Sequence, residues 1–153
     1  MKVEYVEPFV QAACSVFEQV TGGRVETGPL GLLGATFPAA CVNIATRVNG
    51  SLRGDVVYSM SSLTAQAVAG RLVDVEIHGF GRLAGSGLAQ LGDMLAARSS
   101  QILSEQGLGC EISGPTVFQG LNVEFSAIAP ALSVPIDTDA GRIDVNVAVR
   151  SNE

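Results

Sequence analysis

Ser86, Gln90 and Asp93 are the residues of this chain whose types and spacing best suit chemistry. They stand at i, i+4 and i+7, so a helix carries all three on one face. Together they offer a hydroxyl, an amide that donates and accepts, and a carboxylate that only accepts. Such groups can orient a water or pair with a cation. The other candidates are weaker. His78, the only histidine, has no acidic or cysteine cluster near it in sequence and is expected on a surface loop, not as a ligand or base. No Ser-His-Asp set can be assembled around it. The stretch Gly79-Phe80-Gly81-Arg82-Leu83-Ala84-Gly85 follows a strand-like run (Val73, Val75, Ile77) and precedes a helix, so it imitates a dinucleotide loop. It lies mid-chain with no repeated parallel βαβ pattern around it, and nucleotide binding is not expected.

The element that positions the trio is a helix expected from Gly81 or Arg82 to about Gln106. Ala84, Leu88, Leu91, Leu95 and Ile102 form its buried stripe, which puts Ser86, Gln90 and Asp93 on the opposite, solvent side. Gly85, Gly87, Ala89, Gly92 and Ala96 surround them. Glycine costs roughly 1 kcal/mol relative to alanine inside a helix, so these need a reason. Two are open: close approach of a partner surface, or internal packing behind an ordinary solvated face. Earlier in the chain Pro8 suits a first turn, and Phe9, Ala12, Ala13, Val16 and Val20 make one apolar helical face that stops at Gly22 and Gly23. A shorter helix over 61–72 has Ser61 as N-cap and Leu63, Ala67 and Leu72 inward.

The rest reads as strands. Val42, Ile44 and Val48 alternate with polar or small residues, Asn49-Gly50 supplies a two-residue hairpin turn, and Leu52, Val56 and Tyr58 continue beyond it. Further strands are expected over 115–119, 123–129, 132–136 and 143–149, the last with Ile143, Val145, Val147 and Val149 on one side and Asp144, Asn146 and Arg150 on the other. Asp137 to Gly141 makes the turn before it. The expected fold is α/β of the α+β type: one antiparallel sheet, fed by strands of both halves and flanked by about three helices. The order is compatible with a duplicated α-β-β-β unit.

Composition limits what such a domain does. At 153 residues and 47% hydrophobic content the chain buries one core, and one domain over 1–153 is expected. With 5% aromatic residues and no Trp, aliphatic side chains must fill it. A net charge of −6, with its 9 basic residues scattered, argues against nucleic acid or anionic membrane as partner. No segment reads as a signal peptide or membrane span, and the three cysteines do not suit a disulfide framework, so a cytoplasmic protein is expected. Cys14 falls in the apolar pattern of the first helix and reads as a small buried hydrophobe. No metal site is expected.

In several blocks the chain resembles the CheC/CheX family of bacterial chemotaxis phosphatases, in its CheX-like branch. The blocks are Tyr5-Val-Glu-Pro8-Phe9, Val20-Thr21-Gly22, the run from Val48-Asn49-Gly50 through Gly54 to Tyr58-Ser-Met60, the helix Leu88-Ala-Gln90-Leu-Gly-Asp93-Met94, and Pro115-Thr116-Val117-Phe-Gln-Gly120. Their order and spacing run nearly end to end. The resemblance implies hydrolysis of the phospho-aspartate of a CheY-type response regulator. It implies no cofactor of the chain's own, Mg²⁺ on the regulator, and a homodimer through sheet edges. The family signature is an acidic residue or Ser, three residues, Glu, two residues, Asn. Ser86 fits it, whereas Gln90 stands in place of Glu and Asp93 in place of Asn. The first helix lacks the signature. The resemblance therefore implies catalysis by Gln90 and Asp93 with exchanged roles, Gln90 orienting water and Asp93 meeting the regulator lysine, while Ser86, Gly85, Ala89 and Gly92 form the partner surface. CheZ, an unrelated phosphatase of the same substrate, also sets an acid and a Gln on one helix. The alternative is a module that binds a regulator, or itself, without hydrolysis.

Overall fold

The computed structural model describes residues 3–33, 36–38, 41–120, 124–126 and 130–152. After a 3₁₀ turn at Val3–Tyr5, helix α1 (Glu7–Thr21) begins with Pro8 in its first turn. It ends where Gly22 turns left-handed (φ 69°) and its N–H donates to the Glu18 carbonyl at 2.9 Å. Four strands follow: β1 (Glu26–Thr27), β2 (Gly31–Leu32), β3 (Thr36–Pro38) and β4 (Val42–Gly50). Strand β5 (Leu52–Met60) leads into α2 (Ser62–Val73), where the Ser61 hydroxyl caps the helix by accepting from the Thr64 N–H at 3.2 Å. Helix α3 (Arg82–Glu105) precedes β6 (Cys110–Ile112), β7 (Thr116–Gln119), β8 (Glu124–Ser126), β9 (Leu132–Thr138) and β10 (Gly141–Ser151).

Eight strands form one antiparallel sheet in the order β1-β9-β10-β5-β4-β6, with β2 also on β9 and β7 also on β4. Strands β3 and β8 pair separately. Each half of the chain supplies a long helix and a long hairpin. The two hairpins, β4–β5 and β9–β10, meet at β5 and β10 along the register Leu52↔Ser151 to Met60↔Ile143. This is the expected α+β fold. Of the expected strand at 123–129 only 124–126 falls within the described residues.

The helices cover one face of the sheet, because every second strand residue there is apolar. Ile143, Val145, Val147 and Val149 are fully buried, as are Ile44, Val56, Phe9, Phe17, Leu88, Leu91 and Leu95. Each such side chain contributes roughly 1.5–3 kcal/mol of burial. The opposite face is not simply wet. Val57, Ala131 and Ala148 make a second apolar cluster, and Asn43, Ser59 and Asn146 are buried beside it. Burial is satisfied by a cross-strand ladder: the Ser59 hydroxyl donates to Asn43 Oδ1 at 2.7 Å, and Asn146 Nδ2 donates to Ser59 Oγ and to the Val57 carbonyl, both at 3.1 Å.

Three local expectations are corrected. Leu63 and Ala67 are exposed, not inward; α2 buries Thr64, Ala65, Val68 and Ala69, while Leu72 is half-buried. The packing partner decides this: a bare Cβ at Gly87 of α3 would stand 2.9 Å from the Ala69 Cβ, so the two helices meet on the small-residue side. Asn49-Gly50 is not a two-residue turn. The last β4–β5 partners are Val48 and Gly54, and beyond them the strands part, Asn49 and Gly50 pairing with β6 and Leu52 and Arg53 with β10. Third, Val73, Val75 and Ile77 form no strand; α2 runs to Val73 and a loop follows.

Candidate functional site

Helix α3 lies along α1 and α2 on the covered face of the sheet, held down by Ala84, Leu88, Leu91, Leu95 and Leu103, all fully buried. That anchoring fixes the opposite side of its first four turns. Ser86, Gln90 and Asp93 are all exposed there. Among the described residues none of the three side chains takes part in a hydrogen bond or ion pair, so their polar groups are free to meet another molecule. They stand on the convex outside of a helix. Small-molecule sites are concave, so this face suits a macromolecular partner that brings its own cleft.

The surrounding small residues divide into two kinds. Gly87 and Gly92 are buried: a Cβ on Gly87 would press on Ala69, and one on Gly92 would collide with the Pro115 side chain ahead of β7. Gly92 is thus explained by internal packing and is withdrawn from the partner surface. Gly85 and Ala89 remain partly exposed, and a Cβ on Gly85 would meet nothing within 4 Å.

A groove of about 420 Å³ opens between α1 and α3 directly beyond Asp93. Met94 and Ala97 belong to its rim, with Ser15 and Gln19 from α1 and Arg98 and Gln101 from α3. Sequence reasoning passed over Arg98. Its signal there was a single cation in an otherwise small and uncharged stretch, Met94 to Gln101.

The remaining candidates do not assemble. His78 Nε2 lies 3.4 Å from Glu76 Oε1, with both side chains more than four-fifths exposed. Among the described residues the Gly79–Gly85 stretch has no strand directly before it and the main sheet has no parallel pairing, which removes the setting a dinucleotide loop requires. No group of metal-ligating residues is found among the described residues. Cys14 is half-buried instead of buried; burial pushes its thiol pKa up, and Glu18 adds to the shift. No helix among the described residues is long and apolar enough to cross a membrane.

No protein-family model matches the chain. Along 154 aligned residues it is 25% identical to the CheY-P phosphatase CheX of Thermotoga maritima, with 99% of each chain covered. The chain is similar to CheX along its whole length. The CheX chain of a CheX–CheY–BeF₃–Mg²⁺ complex from Borrelia burgdorferi is 26% identical, with a TM-score of 0.78 over 98% of this chain and 100% of that one. CheX of Desulfovibrio desulfuricans, 19% identical, shares the fold at a TM-score of 0.84 over 98% of this chain and 100% of its own. The three helices and the antiparallel sheet of this chain therefore follow the fold of solved CheX structures.

Proposed function

We propose that the CheX-like chain hydrolyses the phospho-aspartate of a CheY-type response regulator, with Gln90 orienting the attacking water and Asp93 holding the regulator lysine. The observation that carries this reading is the Ser86–Gln90–Asp93 stripe: exposed, unencumbered, and rigidly backed by the core on the helix where the family signature falls. In the reaction the water oxygen attacks phosphorus in line as the bond to the aspartyl oxygen breaks, releasing phosphate and a free carboxylate. Mg²⁺ is expected on the regulator, so the phosphatase need only place the water. The Gln90 side-chain carbonyl accepts from that water while its NH₂ donates to a phosphoryl oxygen. A carboxylate at Asp93 would repel the phosphoryl group, and the regulator's lysine between them offsets that repulsion.

The test is the decay of a CheY-type receiver domain phosphorylated with acetyl phosphate, followed with and without the protein. Faster decay is expected. Gln90→Ala should lower kcat on the order of 10²-fold, the usual cost of losing one positioned polar group. Asp93→Ala should chiefly raise KM, its deficit fading at saturating regulator. No acceleration by the natural protein, with receiver binding retained, would reduce the chain to a binding module.

A further inference from the structure

The groove between α1 and α3 presents a cation without an anion. Arg98 donates from Nη1 to Gln101 Oε1 at 2.8 Å, but its Nε–H is buried with no acceptor. Among the described residues no carboxylate forms an ion pair with it, although the chain carries 15 acidic residues against 9 basic ones. The Nε–H is closed to any partner, but Arg98 lines the groove with its Nη1 side held by the neutral Gln101, and its charge there is left for an acceptor from outside. The groove is polar at its mouth, with Ser15 and Gln19 facing Arg98 and Gln101, and it is continuous through Met94 and Ala97 with the exposed stripe ending at Asp93.

We propose that Arg98 and the α1–α3 groove form a second docking point, which receives a carboxylate side chain of the receiver domain bound over Gln90 and Asp93. This rests on the phosphatase reading of that stripe. A partner seated on Asp93 necessarily overhangs the groove, since Ala97 lies one turn further along the same face. The carboxylate meets Arg98 where it lines the groove, so the contact sets affinity and orientation and leaves the chemical step to Gln90.

The experiment measures KM and kcat for dephosphorylation of an acetyl-phosphate-charged receiver domain at low and high salt, using the full chain. Arg98→Met should raise KM on the order of tenfold at low salt, leave kcat nearly unchanged and flatten the salt dependence of KM. Arg98→Lys should recover part of the loss, since it restores charge without the planar fork. Ser15→Asp leaves Arg98 in place and supplies a carboxylate within the groove; it should raise KM by competing for the same cation. An unchanged KM and salt slope in both Arg98→Met and Ser15→Asp would overturn the proposal while leaving the phosphatase intact. A fall in kcat alone would overturn it too. A natural chain that neither binds nor dephosphorylates the receiver would overturn both readings.

Discussion

An amide and a carboxylate one turn apart are nearly isosteric with the same two groups in reversed order, yet the reversal moves a formal charge along the helix. In the signature of the CheC/CheX family, which the chain resembles, the acid precedes the amide; here Gln90 precedes Asp93. Restoring the order with Gln90→Glu and Asp93→Asn together tests whether the exchange is tolerated. The double variant should keep measurable hydrolysis, because the same two groups remain on the same face. Hydrolysis by the double variant but none by the natural chain would mark the natural order as a loss of catalysis. A second side chain makes its own prediction. Tyr58 is fully enclosed, and burial pushes its phenol up to about 12, with the adjacent Ser99 hydroxyl pulling the other way. Below pH 10 the folded and unfolded chains both keep this proton, so the contribution is complete; between 10 and about 12 the unfolded chain gives it up first. Stability should therefore fall by roughly 2–3 kcal/mol across that window. Tyr58→Phe should remove this share of the fall, read from urea midpoints at pH 9 and 11.5. The exposure of Ser86, Gln90 and Asp93 was legible from helical period alone, since a strong apolar stripe leaves one other side. Arg98 was not, because an unpaired cation is defined by what fails to approach it in space.

At the scale of elements, glycines in α3 separate packing from access. Gly92→Ala should destabilise the fold by about 1–3 kcal/mol, because its new methyl meets Pro115 where nothing yields easily. Gly85→Ala enters open space and should stabilise the helix by roughly 0.5–1 kcal/mol. Thermal melts of the two variants check both signs. Opposite outcomes would mean that α3 sits differently against β7. Sequence reasoning recognised these glycines as unusual but could not sort them, since the sorting lies in residues far along the chain. The same holds for α2, where Leu63 and Ala67 satisfy a helical spacing yet face outward because Ala69 allows the closer approach to α3. Asn49-Gly50 is a strong local hairpin signal, overridden because β6 and β10 draw the two strands apart. Strand β6 itself is only three residues long, too short for alternation to show.

For the whole molecule, the antiparallel sheet and its helices were legible because long alternating runs dominate β4, β5 and β10. The buried Asn43–Ser59–Asn146 ladder was not, since polar residues on a strand's second face ordinarily mean solvent. Both borders of the main sheet are made of short strands: β1 and β2 on β9, and β6 and β7 on β4. Short edge strands limit such pairing, yet each border still carries backbone groups that a second copy can meet. A homodimer through a strand border is expected, and light scattering at micromolar concentration should return twice the 15.8 kDa chain mass. A monomer mass across that range would refute it.

The seam between β5 and β10 also governs how the chain comes into being. Asn146 bonds to the carbonyl of Val57, 89 residues earlier, and the central ladder needs residues up to Ser151. A nascent chain leaving the ribosome therefore holds α1, α3 and the β4–β5 hairpin with the β5 border open until β10 has been made. Pairings this distant in sequence form late, and an open apolar border is a template for association with other unfinished chains. Translation stopped before β10 should yield aggregate in place of a weakened fold. Pelleting of a chain ended at Ala140, beside a control of residues 1–153 that stays in the supernatant, is the expected result.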